Sequence, residues 1–332
     1  MRVLVTGAAG FIGAALSERL ATRGDSVIGI DNLNDYYAVS LKLDRRDRVA
    51  RAAGDRFTFL HEDFADMARL EQALAGRDFD RIVHLGAQAG VRYSIENPHA
   101  YAQANLVGHL NMLELARARG VEHMVYASSS SVYGGNTKMP FAVEDRVDHP
   151  LSLYAATKKA DELMSETYAH LYRLPLTGLR LFTVYGPWSR PDMMTWSFTR
   201  KILAGEPIPV FNNGEMWRDF TYIDDIVEGI VACLDRPPAD DGQPKAGGST
   251  KPHAVYNIGN NRSEHLMKVI DILQRECGRE AVIEFLPMQD GDVQRTYADI
   301  EAIQRDVGYR PTTAIEVGVP RFVRWYREYH GV

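Results

Sequence analysis

Two cysteines, Cys233 and Cys277, are all that 332 residues contain. That is too few for a disulfide framework, and both lie in helical patterns (IVACLD, LQRECG) where buried reduced thiols are expected. No apolar run approaches the length that spans a bilayer. The chain opens on MRVLVTG, which reads as a strand and leaves no room for a signal peptide. With a formal net charge of −6 and a pI near 5.9, nothing in the charge balance favours nucleic acid. His, Cys and Asp nowhere cluster at metal-ligand spacing, and no internal repeat is found. One low-complexity stretch, RPPADDGQPKAGGSTKPH over 236–253, is expected to be an exposed and partly disordered loop. The expectation is a cytoplasmic protein without a membrane or nucleic-acid partner.

What is present is regular. Strand-like apolar runs at Arg2–Thr6, Ser26–Asp31, Phe57–His61, Arg81–Leu85, His123–Ser128 and Leu176–Phe182 alternate with helical patterns. That alternation predicts a parallel α/β sheet. After Phe182 the segments shorten and are broken by Pro and Gly, with helices expected near 196–204, 223–235, 263–276 and 315–329. Residues 1–182 thus read mainly as a nucleotide-binding sheet. Residues 183–332 read as a smaller α/β region that closes over it, across an interleaved boundary.

VLVTGAAGFIGAAL places Gly7, Gly10 and Gly13 between the first strand and the first helix. Glycines at this spacing let backbone approach a pyrophosphate at a helix N-terminus, where free N–H groups and the helix dipole favour anions. A Rossmann-type doubly wound sheet is therefore expected. Asp31 ends the second strand, where a carboxylate accepts bonds from ribose hydroxyls and repels a 2′-phosphate. Asn32 follows it and no arginine adjoins, so NAD is expected rather than NADP. Asp63, after the third strand, is either a partner for the adenine amino group or a solvated turn acid.

YAATK places Tyr154 and Lys158 one helical turn apart on one face. A tyrosine with its usual pKa near 10 is a poor base, and moving it to neutrality takes about 4 kcal/mol. One cation about 4 Å away at an effective dielectric of about 20 supplies roughly that. Without context the pair is an ordinary i,i+4 neighbour pair. After a glycine fingerprint and a strand that ends in serines, it reads as a catalytic base and its cation.

In this order of motifs the whole chain resembles the extended short-chain dehydrogenase/reductase family, whose sugar-nucleotide members bind NAD. The resemblance implies a third catalytic hydroxyl at Ser129, which hydrogen-bonds the reacting sugar hydroxyl and relays its proton to Tyr154. It carries the cofactor site onto Gly7, Gly10, Phe11, Ile12, Gly13, Asp31, Asn32, Asp63, Phe64, Leu85, Gln88, Asn105, Ser128, Tyr154 and Lys158. Gly86 stands where that family usually has Ala. Read alone, Asn105 is simply a polar residue within an apolar helix, and His84 a packed strand histidine.

The serine run YASSSSVYG narrows the chemistry. Family members that dehydrate a sugar carry Asp-Glu after the catalytic hydroxyl, and those that decarboxylate UDP-glucuronate carry Glu just before VYG. Here those positions are Ser130 and Ser131, which donate hydrogen bonds but are no acid or base near neutral pH. An epimerisation, in which hydride leaves and returns, is the expected outcome. DNLNDYYAVSLK, GAQAGVRYSIENPHAY and RLFTVYGPWSRPDM resemble the members that epimerise UDP-glucuronate at C4. By that resemblance Thr183 and Arg190, with the serines, hold the sugar carboxylate, and Arg92 is a second anionic contact. Arg190 also reads as a surface arginine after a Gly-Pro turn.

PVFNNGEMWRDFTYIDD resembles the family's UDP-binding segment, with Phe211 against uracil and Arg218 on the diphosphate. MQDGDVQRTYAD, which carries Arg295, resembles another such segment but has Asp290 where Pro is usual. The resemblance further implies a homodimer built on helices near 98–118 and 152–172. Two other catalytic readings stay open: 4-epimerisation of a neutral UDP-hexose and decarboxylation of UDP-glucuronate. A cofactor-binding regulator without activity is a third, opposed by the intact Ser129, Tyr154 and Lys158.

Overall fold

The computed structural model describes residues 1–289 and 293–332, so Asp290 lies outside the described residues. Strands β1 (Arg2–Thr6), β2 (Ser26–Asp31), β3 (Phe57–His61), β4 (Arg81–His84), β5 (His123–Ser129) and β6 (Leu176–Leu181) fall within a residue of the expected runs. The remaining strands are β7 (Thr183–Tyr185), β8 (Ile208–Phe211), β9 (Trp217–Tyr222), β10 (His253–Ile258), β11 (Ser263–His265) and β12 (Ile283–Leu286). The main sheet has seven strands in the order β10-β6-β5-β4-β1-β2-β3, and its pairings are parallel.

Side-chain alternation explains why this sheet is covered twice. Val3 and Val5 of β1 join Val83 and Val125 in one core with the helices Phe11–Arg23, Val39–Ala53 and Ile223–Leu234. Leu4, with Ile82 and Met124, faces a second core built with the helices Met67–Ala73, Gly108–Arg119 and Leu153–Tyr172. After the exposed Arg2, β1 carries no polar side chain until Thr6, as a strand buried on both faces must.

Two expectations change here. β10 begins at His253, inside the stretch read as a loop, and it completes the main sheet although it follows residue 183 by a long way. Its polar start (His253, bonded to Tyr126 and Glu166) hid it from an apolar-run reading. The helix expected from 263 begins instead at Leu266, because Ser263–His265 pairs antiparallel with β9. A small sheet β11-β9-β7 and the pair β12-β8 hold the remaining strands of the C-terminal region, packed with its helices.

The chain moves outward from β1 to β3 and then crosses to β4, so strand order reverses between β1 and β4. Loops leaving that point part in opposite directions and open a crevice at the carboxyl ends of the strands.

Candidate active site

A cavity of about 710 Å³ fills that crevice. Its floor is the glycine turn. Gly10 N donates to Gly7 O at 2.8 Å. A Cβ on Gly13 would stand 2.0 Å from Gly7 O, so no larger residue leaves this turn intact. The helix Phe11–Arg23 begins at Gly10 with no side-chain cap and no acid in its first turn. Its N-terminal N–H groups thus remain available to an anion. Asp31 Oδ2 accepts from Ala9 N at 3.2 Å and Oδ1 from Leu33 N at 2.9 Å, which fixes the carboxylate beside the turn. Asn32 donates to Asp63 at 3.0 Å. Phe64 closes this end, its ring occupying the space that a Cβ on Gly86 or Gly108 would need. The set fits a dinucleotide: an uncapped helix end for the diphosphate and a fixed carboxylate for a ribose.

No arginine adjoins Asp31 in the sequence, but the fold brings one near it. Arg45, fully buried, lies behind this wall. It donates to Ala9 O at 3.3 Å, the Tyr37 hydroxyl at 2.6 Å, Trp188 O at 2.6 Å and Ser189 O at 3.0 Å. Its bonds are spent tying the glycine turn to the loop that carries Arg190. Lys42 is the cation that lines the cavity here, with Nζ bonded to Asn34 at 2.9 Å. Burial lowers its pKa. Neither residue is visible as a site residue in the charged helical pattern that contains them.

On the opposite wall β5 ends at Ser129, and a 3-10 turn over Ser130–Tyr133 turns the chain into Gly134. Gly134 has φ +51°, and a Cβ there would stand 2.1 Å from His149 O. The turn gathers the hydroxyls. Ser129 Oγ accepts from Ser131 N at 3.2 Å and from Ser131 Oγ at 2.8 Å, leaving its own proton to donate elsewhere. Ser128 also lines the cavity, but its hydroxyl is committed to Glu162 at 2.7 Å.

Ser152 caps the helix Leu153–Tyr172 by accepting from Ala155 N at 3.1 Å. Tyr154 therefore sits in the first turn of that helix. Lys158 is 2% exposed, and its Nζ is bonded to Asp161 Oδ2 at 3.0 Å. Asn105 lies within a π-helical turn, Ala102–Val107. It accepts from Gln88 N at 2.8 Å and donates to Thr157 Oγ1 at 3.0 Å, bracing the cavity wall from behind rather than lining it.

Beneath the serine run, Arg180 grips Glu162 through Nε at 2.8 Å and Nη2 at 3.0 Å, and donates to the Tyr133 hydroxyl at 3.0 Å. Burial works against the Glu162 charge, but Arg180, Lys159 and Ser128 outweigh it and hold the carboxyl below its ordinary value. The sequence reading used neither Glu162 nor Arg180. The one local partner, Lys159 on the same helix, marks Glu162 only as an ordinary i,i+3 pair, and the contacts with Arg180 and Ser128 come from other elements.

Thr183 and Arg190 line the same cavity as the serines. Arg190 is already paired with Asp192, Nε to Oδ1 at 3.0 Å and Nη2 to Oδ2 at 3.1 Å. Burial works against its charge, yet Asp192, Tyr36 and Tyr154 raise its pKa. Arg218 lines the cavity from β9 and donates to Gln294 O at 3.1 Å. Of the remaining candidates, Phe211, Arg92 and Arg295 are not among the lining residues. Arg92 stands 5.3 Å over the Phe211 ring, and Arg295 is exposed, with Nε 3.4 Å from Ser263 Oγ. The cavity thus brings together Gly7, Gly10, Phe11, Ile12, Gly13, Asp31, Asn32, Asp63, Phe64, Leu85, Gln88, the four serines, Tyr154, Lys158, Thr183, Arg190 and Arg218.

Comparison with known proteins agrees with this geometry. Residues 3–259 match the model of the NAD dependent epimerase/dehydratase family. A probable UDP-glucuronate 4-epimerase of Rhizobium meliloti is 47% identical over 332 residues, covering 98% of this chain and 97% of the relative. UDP-glucuronate 4-epimerase 4 of Arabidopsis thaliana is 46% identical over 99% of this chain and 76% of its own length. Among solved structures, UDP-glucuronic acid 4-epimerase from Bacillus cereus, in complex with UDP-glucuronic acid and NAD, superposes with a TM-score of 0.86. It is 30% identical, over 99% of this chain and 100% of that one.

Proposed function

The chain belongs to the NAD dependent epimerase/dehydratase family, and from that premise we propose that it is an NAD-dependent UDP-glucuronate 4-epimerase. One observation carries the reading. The hydroxyls of Ser129, Ser130 and Ser131 share a cavity wall with Tyr154, while Thr183 and Arg190 line the same cavity. Hydroxyl donors and a cation for a carboxylate stand beside a proton acceptor, and the serine run contains no acid to drive elimination.

Bound NAD supplies the acceptor and donor of hydride at the sugar C4. The protein does the rest. Ser129, whose oxygen already accepts from Ser131, donates to or receives from the sugar 4-hydroxyl and relays that proton to Tyr154. Lys158 supplies a cation one helical turn on, on the same face as Tyr154. After oxidation the 4-keto sugar turns within the cavity, so contacts to the sugar must be loose and those to UDP firm. Arg218, which lines the cavity, is assigned to the diphosphate; Phe211 lies outside the lining under the Arg92 guanidinium, so its role on uracil needs that ring to be uncovered. The keto intermediate is a β-keto acid. By holding its carboxylate, Ser130, Ser131, Thr183 and Arg190 keep the C–C bond out of line with the carbonyl π-system and suppress loss of CO₂.

The roles assigned to Asp31 and Asp63, on ribose and adenine, follow from their place beside the glycine turn. We assign residues 1–182 mainly to NAD and 183–332 mainly to the UDP-sugar. A homodimer in the cytoplasm is part of the same reading: Val107, Leu110, Leu163, Leu171 and Tyr172 leave apolar surface exposed on two neighbouring helical segments. No helix among the described residues is long and apolar enough to cross a membrane.

The Arg190–Asp192 pair favours one rival, a 4-epimerase of a neutral UDP-hexose, because part of the cation is already matched. Incubation with UDP-glucuronate followed by NMR separates the readings. UDP-galacturonate is expected. A UDP-pentose alone, or turnover of UDP-glucose only, overturns the proposal.

A further inference from the structure

We propose that Arg45 is a specificity-determining positioning residue: from outside the cavity it fixes the loop that presents Arg190, and so sets the preference for a sugar that bears a carboxylate. The inference deepens the substrate reading given above and rests on the role assigned there to Arg190.

Residues 186–190 follow β7. Ser189 N donates to Gly186 O at 3.2 Å, which closes a turn with Pro187 and Trp188 at its centre. Trp188 has φ +66°. A positive φ at the third place of a turn ordinarily falls to Gly or Asn, and a bulky side chain there is strained. Such strain persists only where the surroundings impose it, and here the turn is held from two sides. On the ring side, Trp188 packs against Trp325 at 5.2 Å and Tyr329 at 5.1 Å between centroids, with the Arg48 guanidinium 5.1 Å over it. On the backbone side, Arg45 Nε and Nη2 both donate to Trp188 O, at 3.0 and 2.6 Å. Nη2 donates again to Ser189 O at 3.0 Å. These are the two carbonyls that precede Arg190 in the chain.

The other end of the same fork reaches the cofactor floor. Nη1 donates to Ala9 O at 3.3 Å and to the Tyr37 hydroxyl at 2.6 Å. All five N–H groups of the guanidinium are thus used, and on carbonyls and a phenol only. Arg45 is fully buried and forms no ion pair with a carboxylate among the described residues. A dry cation without an anionic partner, set against a strained tryptophan, is a costly way to fasten a loop for stability alone. What the fork supplies is fixed geometry. It holds the Arg190 loop and the glycine turn in one frame, so the cation assigned to the carboxylate keeps its place relative to the cofactor site. Lysine, with three donors on a flexible stem, cannot reproduce those five directed bonds.

Calorimetric titration of the protein in excess NAD with UDP-glucuronate, UDP-glucose and UDP tests this. In Arg45→Lys the dissociation constant for UDP-glucuronate is expected to rise about tenfold, as one misaligned charge-assisted contact would give, while the other two stay within about twofold. In an Arg190→Ala background the same substitution is expected to change nothing further, because its effect runs through Arg190. Trp188→Gly suits the positive φ but removes the ring contacts. The same selective loss is expected of it, and it carries the test where Arg45→Lys does not fold. Equal weakening of all three ligands overturns the proposal, since a merely structural role predicts that. So does an Arg45→Lys loss that persists in the Arg190→Ala background. A wild-type preference for UDP-glucuronate that the variants keep overturns this proposal and leaves the substrate reading standing. A wild type that binds UDP-glucose as tightly as UDP-glucuronate overturns both.

Discussion

The Ser128 hydroxyl donates to Glu162 at 2.7 Å, and this bond ties the strand that ends in the serine run to the helix that carries Tyr154 and Lys158. Arg180 completes the joint from β6 by gripping both carboxylate oxygens of Glu162. The two walls of the cavity that exchange a proton are thus set against one another by a buried charge pair. That joint is the first place to test.

Glu162→Gln leaves the Arg180 charge buried without its partner, which is expected to cost about 3–5 kcal/mol of stability at neutral pH. The folded Glu162 lies below its ordinary value, so its contribution is present above about pH 4.3 and is lost as pH falls through the lower folded value. Denaturant unfolding at several pH values checks both statements. The gap between wild type and variant should close toward acid. A constant gap would assign the loss to packing instead.

Tyr154→Phe keeps the ring and removes the proton acceptor. Turnover of UDP-glucuronate is expected to fall by about 10²-fold or more, with binding of the sugar nucleotide largely retained. Product NMR and calorimetric titration read the two effects separately. Near-normal turnover would remove Tyr154 from the mechanism.

Arg190→Ala removes a charge-assisted contact worth about 1.5–3 kcal/mol, or roughly ten- to a hundredfold in preference for UDP-glucuronate over UDP-glucose. The single variant also leaves Asp192 unpaired beside the substrate carboxylate. Arg190→Ala with Asp192→Asn is therefore expected to regain part of that preference. Some decarboxylated UDP-4-keto-pentose should accumulate in either variant and not in wild type. Unchanged preference and no such product would take Arg190 out of the site.

Protein as purified is expected to hold NAD(H), since an internal redox cycle gives no reason to release it. Asp31→Ala should lose that nucleotide and also some stability, because Asp31 anchors Ala9 N and Leu33 N. Chromatography of acid-released nucleotide decides. Recovery of NADP(H) would contradict the role of Asp31 and turn attention to Lys42, which lines the same end of the cavity.

The sequence by itself determined whatever rests on local periodicity or on contiguous residues. Six strands of the main sheet were legible because each reads as an apolar run, most of them buried on both faces and the edge strand β3 less so. The glycine turn was legible because backbone crowding at Gly7 and Gly13 admits nothing larger. The serine run and the Tyr154–Lys158 spacing were legible because a single strand end or a single helical turn contains each of them.

Tertiary structure alone decided which charges are dry and which groups meet across the chain. β10 pairs with β6 from far along the sequence, behind a polar loop that conceals it. Arg45 reaches the Trp188 and Ser189 carbonyls, and Arg180 reaches Glu162, because packing and not spacing brings them together. Lys158 and Asp161 make the contrast plainest. Their i,i+3 spacing is in the sequence, and on an exposed helix it is worth a few tenths of a kcal/mol. Burial withdraws the solvent screening that keeps such pairs weak, and both of these side chains are sealed from water.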